Sequence, residues 1–207
     1  MFRLLPGRLD AASQTALAEE IGGAMSEAPP YTPVVPGGKP MSVRMTNLGP
    51  LGWVTDVAGY RYEARHPFTG RPWPPIPQTL ILLWTELCGA TLPDACLVNL
   101  YDAQSRMGLH QDRDEADFGF PVLSVSLGDT AIFRLGGPRR GDPTSSIRLA
   151  SGDVCLLEGD ARLYFHGVDR ILAGSSRLLP GGGRINLTLR RAAPAASLPL
   201  ARQTAPS

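Results

Sequence analysis

Three histidines occur in this chain, and two of them stand where a metal could use them. His110 precedes Asp112 by two residues in Gly108-Leu109-His110-Gln111-Asp112-Arg113-Asp114-Glu115, and His166 follows in Arg162-Leu163-Tyr164-Phe165-His166-Gly167. In extended backbone, residues i and i+2 project to the same side. His110 and Asp112 can therefore aim an imidazole nitrogen and a carboxylate oxygen at one point, and a later strand can bring His166 as a third ligand. Two histidines and one carboxylate on one face of a metal leave the opposite positions open. That donor set suits non-haem Fe(II), which must also bind a co-substrate and O2. Each piece alone is a weak signal, since a His-x-Asp pair can be a hydrogen-bonded turn and a histidine in an aromatic strand a half-buried structural residue. His66, the third histidine, precedes Pro67 with no partner at metal spacing and is excluded as a ligand.

The arginines near the end of the chain add weight to the metal reading. Arg184-Ile185-Asn186-Leu187-Thr188-Leu189-Arg190 alternates for seven residues, with Arg184, Asn186, Thr188 and Arg190 on one face and the aliphatics on the other. If the apolar face packs on helices, the polar face lies inside. Two buried arginines then need an anion, because an unpaired buried charge is costly. A dicarboxylate meets that need, since guanidinium forks match carboxylates bidentately. The reverse orientation, with the polar face solvated, is the alternative on pattern alone; beside a His/Asp/His site the inward one is preferred. A second feature is the aromatic stretch from 47 to 77, with Trp53, Tyr60, Tyr62, Phe68 and Trp73 among prolines and glycines. It reads either as a hydrophobic cluster pinning a long loop or as a recognition lid whose rings stack on a planar base.

These residues need a scaffold. Asp10 is placed to cap a helix from Ala11 to about Met25, with Leu17 and Ile21 toward a core. Residues 29 to 40 read as an irregular loop and Met41 to Thr46 as a short strand. Pro77 opens a second helix through about Cys88, whose buried stripe is Leu80, Leu83, Trp84 and Leu87, with Gly89 ending it. From Asp94 the pattern changes to strands: 96–101, the His-Gln-Asp stretch, 121–127, 130–135, 146–149, 154–157, 163–168 and 184–190, punctuated by glycine turns. The expected fold is mainly β (α+β): a jelly roll with helices packed outside, in one domain. The tail from Ala192 is Ala-, Pro- and Ser-rich and is expected to be disordered.

Composition fits one sizeable core. The chain has 207 residues, 43% hydrophobic and 19% charged, and its 23 glycines and 20 prolines favour turns and short strands over a helical bundle. A net charge of +1 does not advertise nucleic-acid binding, although a local basic face can coexist with it. Cys88, Cys96 and Cys155 have neither disulfide-framework nor zinc-site spacing. No apolar run near the start is long enough for a secretory signal, and none approaches the roughly 20 residues of a membrane span. A cytoplasmic protein is expected.

Taken together, His110-x-Asp112, His166 and the Arg-x5-Arg from Arg184 to Arg190 resemble the AlkB family of Fe(II)/2-oxoglutarate-dependent dioxygenases. The resemblance runs from Pro36 to Arg190 through Met41-Ser42-Val43, Met45-Thr46-Asn47, Leu51-Gly52-Trp53, Pro93-Asp94-Ala95-Cys96-Leu97 and Ser124-Val125-Ser126-Leu127-Gly128, and looks most similar to the family's bacterial DNA-repair dealkylase. It implies a double-stranded β-helix whose residues 94–191 form the core, with about 30–77 as a nucleotide-recognition lid, all in a single domain from 1 to 191. It implies that His110, Asp112 and His166 hold Fe(II), and that Asn99, Tyr101, Arg184, Asn186 and Arg190 surround 2-oxoglutarate, with O2 as the other co-substrate. Trp53, Tyr60, Asp114 and Arg140 are implied substrate contacts, and Arg106, Arg113, Arg139 and Arg140 can supply phosphate contacts. Two positions depart from the bacterial pattern: Lys39 replaces a tyrosine and Leu157 a tryptophan. The implied reaction is oxidative demethylation of N1-methyladenine and N3-methylcytosine in DNA, single strands preferred, by a monomer that uses no membrane. Asp114 would favour the positive charge of such bases. The alternatives are the same chemistry on RNA, or a non-enzymatic jelly-roll module that binds nucleic acid.

Overall fold

Short strands that are apolar on one face must bury that face against a second layer. In the computed structural model, which describes residues 1–194, they do so as two antiparallel sheets with helices outside one of them. In chain order the elements are β1 (Phe2–Leu5), α1 (Ala11–Glu27), β2 (Arg44–Leu48), β3 (Gly52–Asp56), β4 (Gly59–Glu63) and α2 (Gln78–Cys88). They continue with β5 (Ala95–Tyr101), β6 (Met107–His110), β7 (Val122–Gly128), β8 (Thr130–Leu135), β9 (Ser145–Leu149) and β10 (Val154–Leu157). A 3-10 turn (Gly159–Leu163), β11 (His166–Leu172) and β12 (Arg184–Arg190) complete the set. The larger sheet has the order β1-β10-β7-β12-β5-β2, the smaller one β6-β11-β8-β9, and β3 and β4 stand apart as a hairpin.

The larger sheet is covered on both faces, by the helices on one side and by the smaller sheet on the other. On the outer side Ile185, Leu187 and Leu189 of β12 and Leu123, Val125 and Leu127 of β7 pack with Leu17 and Ile21 of α1 and with Leu80, Leu83 and Trp84 of α2. α1 begins where expected, because the Asp10 carboxylate accepts the Ser13 N–H at 2.8 Å. Between the sheets, Tyr101 and Cys155 of the larger meet Ala131, Phe133, Leu149, Val168 and Ile171 of the smaller. At the β7–β8 turn Gly128 has φ 85, and a Cβ there would lie 2.5 Å from the Gly183 carbonyl oxygen. This glycine lets the start of β12 tuck in beside β7.

The inward reading of the β12 polar face holds, since its apolar face is the one against the helices. Other expectations need adjustment. β1 is an unanticipated strand, paired with β10 at the sheet edge. The aromatic stretch contains the β3–β4 hairpin, which the prolines and glycines around it concealed. The strand expected over 41–46 starts at Arg44, because Met41 N–H bonds instead to Pro33 O at 2.9 Å. The strand expected over 163–168 runs from His166 to Leu172, because the preceding residues wind into the 3-10 turn closed by Tyr164 N–H on Ala161 O. The expected disordered tail lies outside the described residues beyond Pro194, but its first residues are fixed. The Asp94 carboxylate accepts the Ala192 and Ala193 N–H groups at 2.6 and 3.0 Å.

Candidate metal and co-substrate site

Between the sheets lies a cavity of about 640 Å3, and most of the sequence-derived site residues line it. His110 ends β6 and His166 begins β11, and the two are directly paired across the antiparallel ladder. Their rings lie 4.5 Å apart between centroids. Asp112 is past the end of β6, in irregular chain, yet its carboxylate still reaches both histidines. Oδ1 is 3.6 Å from His110 Nε2 and Oδ2 is 3.6 Å from His166 Nε2. Close approach of β6 and β11 depends on Gly167, where a Cβ would sit 2.5 Å from Met107 O and 2.9 Å from Gly108 O.

The tautomers suit metal ligation. His110 Nδ1 lies 2.9 Å from Gly108 O and His166 Nδ1 lies 2.9 Å from Tyr164 O. A carbonyl can only accept, so each Nδ1 carries the proton and each Nε2 offers a lone pair toward Asp112. Among the described residues, these three form the group of His, Cys, Asp and Glu side chains whose ligand atoms all lie within 4.8 Å of one another. Burial, with His166 beside it, depresses the His110 pKa to about 4, against the opposing pull of Asp112. Burial alone would raise the Asp112 carboxyl. The charge of Arg190 leads the effects that outweigh it and hold Asp112 well below the usual carboxylate range. Two imidazoles that turn Nε2 inward and an ionised carboxylate fit a divalent cation. His66 is not available to one. Phe68 and Thr69 N–H both donate to its Nδ1, so its Nε2–H donates to Pro29 O at 2.9 Å.

Deeper in the cavity, β5 and β12 present Asn99, Tyr101, Arg184, Asn186 and Arg190. Arg184 is 2% exposed and donates to Ser126 Oγ at 2.8 Å and Leu149 O at 3.1 Å, but no carboxylate pairs with it among the described residues. Its Nε and the Asn99 Oδ1 are buried without a partner among the described residues. Burial lowers its pKa. An uncompensated cation and an orphaned amide oxygen fit a carboxylate-bearing guest with hydrogen-bonding groups. Asn186 is more occupied than the sequence suggested, with Nδ2 on Ser124 Oγ and Val125 O and Oδ1 accepting from Thr188. Arg190 is also engaged, through Nη2 on Asp112 Oδ1 at 2.8 Å and Nη1 on Glu115 Oε1 at 3.0 Å.

The β3–β4 hairpin lines the cavity mouth. Trp53 of β3 and Tyr60 of β4 stack with centroids 5.5 Å apart at 18°. Trp53 Nε1 donates to Asp114 Oδ2 at 2.7 Å. Arg140 lies over the Phe165 ring at 5.1 Å, and Arg113 lines the same mouth. Arg139 turns to Asp142 at 3.3 Å, and Arg106 lines a separate hollow with Arg134. Lys39 is exposed in a turn, whereas Leu157 is buried with Val122 and Ala161 in the cavity wall. Sequence reasoning missed Glu115, Arg162 and Tyr62, which pack behind Asp112. Strand alternation would send Glu115 away from the side of Asp112 and Asp114. It comes back because the chain from Gln111 to Glu115 is not a strand.

The model of the 2OG-Fe(II) oxygenase superfamily matches residues 1–190. The chain belongs to that superfamily. It is an Fe(II)- and 2-oxoglutarate-dependent dioxygenase, and the oxygenase is similar to named AlkB proteins over most of its length. It is 64% identical over 192 residues to the alpha-ketoglutarate-dependent dioxygenase AlkB homolog of Caulobacter vibrioides, covering 92% of this chain and 87% of that one. Identity to the alpha-ketoglutarate-dependent dioxygenase AlkB of Escherichia coli (strain K12) is 43% over 181 residues, covering 85% and 83%. The solved structure of OsALKBH1 superposes with a TM-score of 0.78 at 32% identity, covering 91% of this chain and 97% of that one. No helix among the described residues is long and apolar enough to cross a membrane.

Proposed function

We propose that this oxygenase removes alkyl groups from ring nitrogens of damaged bases in DNA, acting on N1-methyladenine and N3-methylcytosine. The observation that carries the reading is the cavity mouth. Stacked aromatics and a carboxylate, Asp114, converge there beside the two histidines and Asp112. Rings recognise any base by stacking, whereas a carboxylate selects for positive charge, which alkylation at these nitrogens creates. The kinship to AlkB proteins supports the same reading.

In this reading His110, Asp112 and His166 hold Fe(II) through two Nε2 atoms and a carboxylate oxygen. Arg184 takes the distal carboxylate of 2-oxoglutarate, with Asn99 and Tyr101 beside it and Asn186 and Arg190 completing the wall. The bound iron, with 2-oxoglutarate and O2, supplies the oxidation that places a hydroxyl on the N-alkyl carbon, while the co-substrate leaves as succinate and CO2. The hydroxylated carbon departs as formaldehyde and the base regains its pairing edge. Trp53 and Tyr60 hold the flipped base, Asp114 faces its positive charge, and Arg140 and Arg113 approach the backbone. A damaged base costs less to unstack, and a single strand costs least, so single strands are the preferred substrate of a monomeric enzyme in the cytoplasm.

The test is formaldehyde and succinate release from matched DNA and RNA oligomers carrying one N-methyl base, single-stranded and duplex. Turnover on single-stranded DNA that disappears in His110→Ala and His166→Ala is the expected result. Undiminished turnover in either variant removes the ligand assignment, and faster turnover on RNA moves the substrate class.

A further inference from the structure

Asp112 is gripped from two sides by arginines. Its main-chain carbonyl accepts from Arg162 Nη1 at 2.6 Å, and its Oδ1 accepts from Arg190 Nη2 at 2.8 Å. Both arginines are themselves held by one carboxylate. Glu115 Oε2 is 3.0 Å from Arg162 Nη2, and Glu115 Oε1 is 3.0 Å from Arg190 Nη1. The Glu115 side chain is 0% exposed. Tyr62, on the lid hairpin, donates its hydroxyl to the same Oε1 at 2.6 Å and accepts from Arg190 Nη1 at 3.2 Å. None of Glu115, Arg162 and Tyr62 lines the cavity, so their effect on chemistry has to pass through the cavity residues they hold, Asp112 and Arg190.

We propose that Glu115 is a positioning residue for Asp112, fixing its main chain through Arg162 and the rotation of its carboxylate through Arg190, with Tyr62 tying the lid hairpin to the same cluster. This rests on the reading of Asp112 as a metal ligand. A guanidinium fork pairs most favourably with both oxygens of one carboxylate. Glu115 prevents that at Asp112 by occupying Nη1, so Arg190 reaches Oδ1 alone and Oδ2 stays turned toward His166. Without Glu115, Arg190 is free to take both Asp112 oxygens, in direct competition with a metal. The same glutamate compensates two buried cations, and removing it also releases the Arg162 grip on the main chain. Groups that orient a metal's ligands from behind typically change metal affinity by about 10- to 100-fold when altered.

Anaerobic titration of the full chain with Co(II) alone reads this directly, because the visible spectrum reports the geometry of the ligand set as well as its occupancy. His110→Ala establishes that the ion binds at this site. Glu115→Gln is expected to weaken Co(II) binding at least about tenfold and to alter the bound spectrum, and Tyr62→Phe to weaken it by a smaller factor in the same direction. Tyr31→Phe is the control: it removes another buried hydroxyl from the segment leading into β2, one that has no hydrogen-bond partner among the described residues, and should leave Co(II) binding unchanged. Thermal unfolding of the metal-free variants separates a fold defect from a ligand defect, and Tyr62→Phe decides if Glu115→Gln does not fold. Folded Glu115→Gln and Tyr62→Phe proteins with the wild-type affinity and spectrum would overturn the proposal and leave the cluster a support of the fold. Unchanged Co(II) binding in His110→Ala would instead remove the ligand assignment, and the proposal with it.

Discussion

Asp114 meets Trp53 of the β3–β4 hairpin, Asp112 meets the histidines, and only Arg113 lies between them. One Asp114 oxygen accepts from Trp53 Nε1, so its charge is held at the mouth instead of moving with solvent. A fixed negative charge there repels the acceptor atoms of a neutral base and attracts a cationic one, more strongly where water is partly excluded. Asp114→Asn should therefore lose more activity on N1-methyladenine than on neutral N3-methylthymine in otherwise identical oligomers. Equal losses would mean that Asp114 only anchors Trp53. Arg184 yields a second prediction at this scale. Burial lowers its pKa, and among the described residues its partners are neutral oxygens, so an incoming carboxylate relieves an existing penalty. Arg184→Ala should raise the 2-oxoglutarate requirement about ten- to a hundredfold, the equivalent of the roughly 1.5–3 kcal/mol of a charge-assisted hydrogen bond. Unchanged co-substrate affinity in steady-state kinetics would refute it. A third follows from His110, whose pKa falls to about 4 in the folded, metal-free protein. Between that value and the roughly 6.5 of an unfolded histidine, the unfolded chain binds a proton that the folded chain does not, so stability rises with pH across that window. Urea titrations of the metal-free protein from pH 4 to 7 should show this slope, and His110→Ala should flatten it. The half-open ring tempers its size, because water screens the effect.

At the scale of elements, residue spacing was legible wherever the chain is regular. The alternation of β12 gave its polar and apolar faces correctly, because a strand allows only two faces and helices cover one of them. The capped start of α1 and the buried stripe of α2 were legible for the same reason. Parity failed at 111–115, where no ladder enforces it, and Glu115 was missed there. The β3–β4 hairpin was hidden because its pairing depends on a two-residue turn at Val57 and Ala58, while prolines elsewhere in the stretch dominated the reading. Gly167 illustrates what spacing cannot reveal. Its role depends on β6 lying across it, a contact between residues almost 60 positions apart. A methyl group there meets two backbone oxygens, so β6 must move away from β11, taking His110 from His166. Gly167→Ala is expected to retain the larger sheet and its helices while weakening metal binding. Co(II) titration alongside far-UV circular dichroism checks this, and wild-type affinity in the folded variant would show that β6 absorbs the methyl without moving His110.

For the molecule as a whole, the jelly-roll class was legible from many short strands with glycine turns, but the strand order was not. Sheet neighbours such as β1 and β10 are set by packing across the whole chain and leave no local trace. Charge shows the same contrast. The net value of +1 hides a mouth where Arg113 and Arg140 stand exposed around the cavity, while Arg162, Arg184 and Arg190 are buried and unavailable to a partner. Arg139 is spoken for in part by Asp142. Nucleic-acid affinity should accordingly depend on few phosphate contacts, and its salt dependence should count them. Each phosphate neutralised on a single strand contributes about −0.7 to the slope of log K against log salt concentration. Arg113→Ala is predicted to weaken binding of a single-stranded oligomer by a similar factor whatever its sequence and to make the slope shallower by about 0.7. Turnover of 2-oxoglutarate in the absence of nucleic acid should not change, because Arg113 points to the mouth and has no bond to the histidines or Asp112. Fluorescence anisotropy at several salt concentrations gives the slope. A variant with weaker binding but the wild-type slope would mean that Arg113 shapes the mouth without meeting a phosphate.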